Sequence, residues 1–446
     1  MANDIHAWRP NLPDERLENR LPDLKPRYSA GAAKAEAERC LYCYDAPCVK
    51  ACPTSIDVPT FIKKIASGNV RGAAQTIFEQ NVHGVSCARV CPVEVLCVGS
   101  CVYNDWHRAP IQIGKLQRFA TEEALADERR TGRKLFTRKP SIGKRVALVG
   151  AGPGSLACAV YLNLEGIDTV ILERGPLPGG LNTTGVAPYK LHANESLDEV
   201  EWLLSFGTDI RFGVELGKSL SGADLLRDYD AVFVGIGLGS DSKLGIPGED
   251  GTGVEGATAW IEGMKNRATT DMKRVARAVV VGGGNTAIDV ARELAQLGVP
   301  EVDMVYRRGL EHMSGYRHEM DAAMRERVRL VEHARPVSVV RDAAGNVSAL
   351  RVADAKRPAG SPDSERDIPC ELIVVAIGQA KLADTAKQFP GVALNAKGWI
   401  EVDRERRTGN PNVFAGGDCI NGGAEVVNAV ADGRDAARAM IAGWKK

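Results

Sequence analysis

Residues 145–156 read Arg-Val-Ala-Leu-Val-Gly-Ala-Gly-Pro-Gly-Ser-Leu. The first five residues are mostly apolar and predict a buried strand, and the glycines that follow predict a tight turn. The apolar pattern of residues 156–164 then predicts a helix, and residues 169–172 predict a second strand. This order of elements is typical of a doubly wound α/β domain that holds a nucleotide pyrophosphate at the helix N-terminus.

The same order of elements returns later in the chain. Residues 278–281 predict a strand, Gly282–Gly284 a turn, residues 286–297 a helix and residues 302–306 another strand. Two copies of this unit predict two doubly wound nucleotide-binding domains.

Two further predicted strands, at residues 231–235 and 372–376, mark the points where the chain crosses between these domains. A charged stretch at residues 127–143 is interpreted as a linker that follows an α-helical N-terminal region. We therefore predict a helical domain, a first nucleotide-binding domain in two segments, and a second nucleotide-binding domain between those segments. In chain order the predicted boundaries are 1–140, 141–275, 276–378 and 379–446.

The composition argues against several classes of partner. The 446 residues include 57 Lys and Arg and 57 Asp and Glu, so the formal net charge is zero. That balance disfavours nucleic acid or an acidic membrane surface as the main partner. No run of 18 apolar residues predicts a membrane span, and the first ten residues lack the layout of a signal peptide. We expect a cytoplasmic protein.

Eight of the eleven cysteines lie in one block. They are Cys40, Cys43, Cys48, Cys52, Cys87, Cys91, Cys97 and Cys101. Short spacings with a distant partner suit a [4Fe–4S] cluster, and the proline after Cys52 and after Cys91 matches the bacterial two-cluster ferredoxin pattern. Zinc sites favour matched Cys-x2-Cys or histidine pairs, and disulfides favour an oxidising compartment. The block therefore predicts iron–sulfur clusters.

Residues 40–54 and 86–92, together with residues 110–122, resemble the N-terminal domain of dihydropyrimidine dehydrogenase. The small subunit of glutamate synthase shares the same overall layout. The resemblance implies two [4Fe–4S] clusters in which Cys87 is not a ligand. The implied ligand sets are Cys40, Cys43, Cys48 and Cys101 for the first cluster, and Cys52, Cys91, Cys97 and Gln117 for the second. Counting thiols alone would choose Cys87 over Gln117.

The first glycine turn is interpreted as a flavin site. Glu173 ends the second strand, where an acidic residue can accept from a ribose hydroxyl, and Ser155 replaces the usual third glycine. Phe414–Asp418 resembles the flavin-contacting signature of the glutathione-reductase-like flavoproteins. That resemblance implies FAD and the following contact residues: Val90, Gly150, Gly152, Pro153, Gly154, Ser155, Leu156, Glu173, Gly180, Leu181, Lys190, Leu216, Gly417, Asp418, Glu425 and Val426.

The second glycine turn is interpreted as the NADH or NADPH site. The residues predicted to bind it are Gly282, Gly283, Gly284, Asn285, Thr286, Arg307, Arg308, Ala376, Ile377 and Gly378. Arg307 and Arg308 stand where arginine accommodates the extra phosphate of NADP. Ser314 occupies a position where NADPH-using relatives have a further arginine, and bacterial relatives with this layout commonly use NADH. The preference between NADH and NADPH stays open. The alternative that both arginines are only a solvated strand end also stays open.

The resemblance covers the whole chain but only the N-terminal half of the long dihydropyrimidine dehydrogenases, without their FMN barrel and catalytic cysteine. It implies the electron-input subunit of an NAD(P)-dependent dihydropyrimidine dehydrogenase, in a heterotetramer with an FMN-containing partner that reduces uracil or thymine. No catalytic acid or base is assigned. The alternatives are a glutamate synthase small subunit, a flavin-based transhydrogenase subunit, or a non-catalytic iron–sulfur scaffold. Gln117 and Ser155 disfavour the first two, and the intact glycine turns disfavour the last.

Overall fold

The computed structural model describes residue 9 and residues 11–268, 272–357 and 364–445. Its helices are α1 (Ala30–Glu38), α2 (Pro47–Lys50), α3 (Val58–Ala66), α4 (Val70–Phe78), α5 (Gly84–Val90), α6 (Ile113–Thr131), α7 (Pro153–Leu164), α8 (Leu181–Thr184), α9 (Ala193–Leu204), α10 (Gly222–Asp228), α11 (Ala257–Asn266), α12 (Asn285–Gln296), α13 (Arg317–Arg325), α14 (Ala383–Ala386), α15 (Asp418–Asn421) and α16 (Val426–Trp444). Its strands are β1 (Arg145–Val149), β2 (Asp168–Glu173), β3 (Thr208–Phe212), β4 (Ala231–Val234), β5 (Val254–Gly256), β6 (Arg277–Val281), β7 (Glu301–Val305), β8 (Arg329–Val331), β9 (Ala334–Arg341), β10 (Val347–Asp354), β11 (Glu365–Pro369), β12 (Leu372–Val375) and β13 (Val413–Ala415).

Helices α1 to α6 form the helical domain. Its core is built from the apolar faces of α3, α4 and α6, in which Phe61, Ile62, Ile77 and Leu116 are fully buried. The predicted linker begins later than expected, because α6 continues to Thr131 and ends at Gly132 with a left-handed φ of 72°. Glycine adopts that conformation at little cost, so it stops the helix.

The first nucleotide-binding domain is built on a five-stranded sheet with the order β13-β4-β1-β2-β3. Every neighbouring pair in it is parallel. Strand β13 comes from the C-terminal part of the chain, so the chain returns to this domain after building the second. The doubly wound prediction is therefore confirmed here, with α7 crossing between β1 and β2 as expected.

The second nucleotide-binding domain is built on the parallel sheet β5-β12-β6-β7-β8, and an antiparallel sheet β11-β10-β9 packs beside it. Strand β5 lies in the segment 141–275, which the sequence analysis assigns to the first domain. Its backbone instead forms parallel hydrogen bonds with β12, in the sheet of the second domain. We propose that the second domain starts just before β5.

Helix α16 packs closely against α7 and brings the C-terminal segment to the first glycine turn. A Cβ atom on Gly433 would lie 2.0 Å from the carbonyl oxygen of Gly154, so only glycine permits this approach. Val426 and Val427, at the start of α16, pack against the core of the helical domain. Among the described residues, no helix is both long and apolar enough to cross a bilayer.

Candidate cofactor sites

Four of the predicted ligands line one cavity in the helical domain. They are Cys40, Cys43, Cys48 and Cys101, the set expected for the first cluster. The rest of the wall is largely apolar and includes Val58, Ile62, Ile111 and Ile113. A cavity that gathers four thiols in apolar surroundings fits a [4Fe–4S] cube, which presents a separate iron to each ligand.

A residue with a left-handed backbone lies between two of these cysteines. Tyr42 has a left-handed φ of 51°, which is uncommon for a bulky side chain. Its hydroxyl donates to the carbonyl oxygen of Ala37 at 3.1 Å and so holds the turn in place. This residue lies between Cys40 and Cys43, which both line the cavity.

Burial and the adjacent thiols of Cys40 and Cys101 raise the pKa of Cys48 to about 12. A thiol in such a place gives up its proton when a cation supplies the missing positive charge, as iron does in a cluster. The residues present therefore fit the first cluster.

The three cysteines of the second predicted set also lie near one another. Burial, with the nearby thiols of Cys91 and Cys52, raises the pKa of Cys97. A hydrogen bond with Cys87, followed by burial, raises the pKa of Cys91 well above its usual range. Cys87 thus lies beside a predicted ligand, one helical turn before it on α5.

Gln117 is buried on α6, which packs against α5. Its Nε2 atom donates to the carbonyl oxygen of Gly84 at 2.8 Å, and the amide oxygen is the atom with which this side chain would bind an iron. Among the described residues, no three His, Cys, Asp or Glu side chains converge around a single point as the ligands of one metal ion do.

The first glycine turn leaves a space in which a pyrophosphate fits. A Cβ atom on Gly152 would meet only the carbonyl oxygen of Gly235, at 3.9 Å, within a 4 Å radius. Gly150 has a left-handed φ of 89° and lies against Gly235, which fixes the turn. Gly152 is the N-cap of α7, so a bound phosphate would face the positive end of that helix.

The other predicted residues of this turn lie close by. Ser155 is fully buried, as expected for a small residue at this packing position. Glu173 accepts hydrogen bonds from the backbone N–H groups of Ala151 and Gly175, each at 2.7 Å. Its carboxylate therefore lies at the turn, although both oxygens are engaged by the backbone. A Cβ atom on Gly180 would lie 2.9 Å from Cα of Gly152, so the segment before α8 closes the same space.

The flavin-contacting signature Phe414–Asp418 spans the end of β13 and the start of α15. Asp418 is half-buried at the start of α15, and burial raises its pKa. The Gly417 N–H donates to Asp432 at 2.9 Å, and Arg406 Nε donates to the same carboxylate at 2.6 Å. Sequence patterns had not singled out Asp432, because its role depends on α16 packing across the signature. Glu425 is the N-cap of α16 and accepts from the Tyr316 hydroxyl at 2.7 Å.

Lys190 lies between the two nucleotide-binding domains. Its Nζ is 2.7 Å from Asp289 Oδ1 and 3.1 Å from Glu319 Oε1. Burial lowers the pKa of Lys190, but these two carboxylates outweigh that effect and raise the pKa overall. The predicted flavin contact is thus engaged with α12 and α13. The remaining predicted contacts are Leu216, buried in the sheet core, Leu181 at the start of α8, and Val90 at the end of α5.

A fully buried lysine, Lys265 on α11, was not singled out by sequence patterns. Its ammonium donates to the carbonyl oxygens of Asn182, Val186 and Leu191 at 2.8–3.0 Å. Burial lowers the pKa of Lys265 to about 8. The side chain therefore fixes the segment around α8, which the resemblance assigns to flavin contact.

The second glycine turn has the same open geometry. A Cβ atom on Gly284 would meet only Ser314 Oγ, at 3.6 Å, whereas one on Gly283 would overlap the Tyr306 ring. Arg307 and Arg308 follow Tyr306 and are both exposed. Arg308 donates to the Tyr306 hydroxyl through Nε at 3.0 Å and Nη2 at 2.6 Å.

The other residues predicted for this site frame the same turn. Asn285 and Thr286 begin α12, and Asn285 accepts from the Tyr316 N–H at 2.8 Å. Ala376, Ile377 and Gly378 follow β12 directly, and Gly378 has a left-handed φ of 114°. Ile377 is 45% exposed, so this loop presents an apolar side chain at the carboxyl edge of the sheet.

Comparisons with known proteins match both parts of the chain. A family model described as dihydropyrimidine dehydrogenase domain II, 4Fe-4S cluster, matches residues 17–129, and one described as pyridine nucleotide-disulphide oxidoreductase matches residues 144–433. The glutamate synthase [NADPH] small chain of Escherichia coli is 33% identical over 93% of this chain and 92% of that protein. The NAD-dependent dihydropyrimidine dehydrogenase subunit PreT of Salmonella typhimurium is 34% identical over 95% of this chain and 97% of that protein.

Solved structures share the fold of the two nucleotide-binding domains. A thioredoxin reductase from T. acidophilum superposes with a TM-score of 0.56 and 22% identity, over 68% of this chain and 98% of that one. Mycobacterium tuberculosis FprA in complex with NADPH superposes with a TM-score of 0.54 and 21% identity, over 69% of this chain and 85% of that one. The predicted α/β fold class with an N-terminal iron–sulfur domain is confirmed, as is the resemblance on which it partly rested.

Proposed function

Because the chain belongs to the pyridine nucleotide-disulphide oxidoreductases, and among them to the group of glutamate synthase small chains and PreT subunits, we propose that it is the electron-input subunit of an NAD(P)-dependent dihydropyrimidine dehydrogenase. It is an NAD(P)H-dependent flavin and iron–sulfur oxidoreductase. In the proposed reaction NAD(P)H and a proton reduce uracil or thymine to the 5,6-dihydro form, at an FMN-bearing partner in a heterotetramer. We further propose a cytoplasmic location, which a block of eight unpaired cysteines supports.

The observation that carries this choice is Gln117. The resemblance to dihydropyrimidine dehydrogenase gives a glutamine at this position, whereas glutamate synthase small subunits have an acidic residue. Here the side chain is buried on α6 with its Nε2 committed to Gly84 on α5, the helix that leads to Cys91. An amide in that place supports the first assignment, while nearly equal identity to both groups keeps glutamate synthase as the second candidate.

The proposed cofactors are one FAD at the first glycine turn, NADH or NADPH at the second, and two [4Fe–4S] clusters in the helical domain. A flavin accepts a hydride as two electrons and releases them singly, which iron–sulfur clusters require. The chain's own residues bind and orient these groups. Gly152 leaves room for one pyrophosphate and Gly284 for the other. Val426 and Val427 hold the start of α16 against the helical domain, so the proposed flavin contacts lie beside the proposed cluster ligands.

The isolated chain should oxidise NADH or NADPH with an artificial electron acceptor but should not reduce uracil. Adding an FMN-bearing dihydropyrimidine dehydrogenase subunit should produce uracil-dependent NAD(P)H oxidation. A parallel assay with a glutamate synthase large subunit, glutamine and 2-oxoglutarate is the control. Activity only in that second mixture would transfer the assignment to glutamate synthase, and uracil reduction by the isolated chain would contradict an electron-input role.

Replacing Arg307 and Arg308 together by alanine should weaken the binding of NADPH more than the binding of NADH, because only NADPH carries the 2′-phosphate. A lost charge-assisted contact costs roughly 1.5–3 kcal/mol, about a 10- to 150-fold rise in the KM for NADPH. Arg308 is also bonded to Tyr306, so the single variant Arg307→Ala should give most of the effect. Equal losses for both nucleotides would remove the proposed phosphate-binding role.

A further inference from the structure

The helix that leads to Cys91 is held at its first turn by a carboxylate from the first nucleotide-binding domain. Glu199, on α9, accepts through Oε1 from the backbone N–H groups of Val85 at 2.9 Å and Ser86 at 3.1 Å. Its Oε2 accepts from the Ser86 hydroxyl and from Nδ1 of His83 at 3.1 Å. One side chain therefore satisfies donors on α5 and on the residue before it.

This contact is sealed from solvent. The Glu199 and His83 side chains are each 1% exposed, and Ser86 is fully buried. An ionised carboxylate is costly to bury unless its oxygens are hydrogen-bonded. Four donors surround this one, so the carboxylate is satisfied only while α5 keeps its present place against α9.

A second pair of contacts fixes the other end of α5. Arg89 Nη1 lies 2.6 Å from Glu195 on α9, and Arg89 Nη2 lies 2.8 Å from Glu122 on α6. Helix α5 has seven residues, so it spans roughly 10 Å at about 1.5 Å per residue. Val90 and Cys91 follow directly, and α5 is also in contact with α16.

We propose that Glu199 is a positioning residue that sets where the second cluster sits relative to the flavin. The proposal rests on the proposed function, because it takes Cys91 as a cluster ligand. Electrons must pass between the helical domain and the first nucleotide-binding domain, which the Arg89–Glu195 ion pair also joins. Glu199 makes the helix that ends at Cys91 part of the first nucleotide-binding domain, so that α5 and α9 move as one unit.

The test compares substitutions at Glu199 by iron content and by the electron paramagnetic resonance (EPR) spectrum of the chemically reduced, full-length protein. Glu199→Asp keeps the charge but is one methylene too short to reach all four donors. It should alter the signal of one cluster and leave the other signal and the flavin content unchanged. Glu199→Ala should lose about half of the bound iron, the share of one of the two proposed clusters. Glu199→Gln keeps the shape and both backbone contacts, so it should retain both signals.

Glu249→Ala is the matched control. Glu249 is also buried and accepts from two backbone N–H groups, of Leu244 at 2.6 Å and Gly245 at 2.7 Å, but it lies outside the helical domain. Its replacement should lower the melting temperature without changing either cluster signal.

Wild-type iron content and unchanged signals in both Glu199→Asp and Glu199→Ala would overturn the proposal. If Glu199→Ala fails to fold, the Glu199→Asp spectrum decides alone. The wild-type protein is analysed for iron and sulfide before any variant. If it contains neither, the proposed function itself is contradicted.

Discussion

Replacing Gly152 by valine should yield a folded protein that binds no flavin. The backbone at Gly152, with φ −77° and ψ 175°, is open to any residue, so the substitution brings no strain. Valine at an N-cap costs about 1 kcal/mol, which a chain of this size tolerates. The valine methyl groups would fill the space in front of α7, where a pyrophosphate has to lie.

Iron content and the circular dichroism spectrum should be unchanged in Gly152→Val, while bound flavin and NAD(P)H oxidation should fall below detection. Gly284→Val is the matched control, because its backbone is also extended, with φ −97° and ψ 176°, and its Cβ would meet only Ser314 Oγ. That variant should keep its flavin, which dithionite still reduces but NAD(P)H does not. Full flavin content in Gly152→Val, or loss of flavin from Gly284→Val, would show that the two turns have been assigned wrongly.

Gln117→Ala should lose one of the two clusters, about four irons of roughly eight, whereas Cys87→Ala should keep both. The alanine removes the only predicted ligand that α6 supplies, and it also breaks the bond to Gly84. Gln117→Glu is the control, because it keeps an oxygen at the same place and should therefore retain the cluster. Iron analysis and EPR spectra of the three variants check these expectations.

The opposite pattern, in which Cys87→Ala loses a cluster and Gln117→Ala does not, would replace the ligand set with an all-cysteine one. The structure places both side chains against α5, the helix that leads to Cys91. Cys87 forms a hydrogen bond with the Cys91 thiol, and Gln117 bonds to the first residue of the same helix. The variants therefore distinguish Cys87 from Gln117 as the fourth ligand, which packing alone does not do.

The sequence allowed the local features to be predicted because each depends on a short pattern. The apolar residues 146–149 and the glycines after them form the predicted strand and turn, and residues 278–284 repeat that pattern. Cys40, Cys43 and Cys48 meet in one cavity because their short spacing leaves few alternatives. Cys101, more than 50 residues further along the chain, joins the same cavity, which the resemblance implied and spacing alone did not require.

Features that depend on contacts between distant segments were missed. Glu199 reads as one acidic residue of an amphipathic helix, and only the packing of α9 on α5 shows that it is buried. Lys265 and Asp432 likewise gain their roles from carbonyl and amide groups far away in the chain. Strand β5 has three residues and no alternating pattern, so its pairing with β12 could not be read from residues 254–256.

We expect this chain to carry a complete path from nicotinamide to iron–sulfur clusters. The most direct test is chemical analysis of the purified, anaerobically prepared protein for flavin, iron and acid-labile sulfide. We expect one FAD, about eight irons and about eight sulfides per chain, as two four-iron clusters require. Tightly bound zinc without sulfide, or iron without flavin, would contradict it.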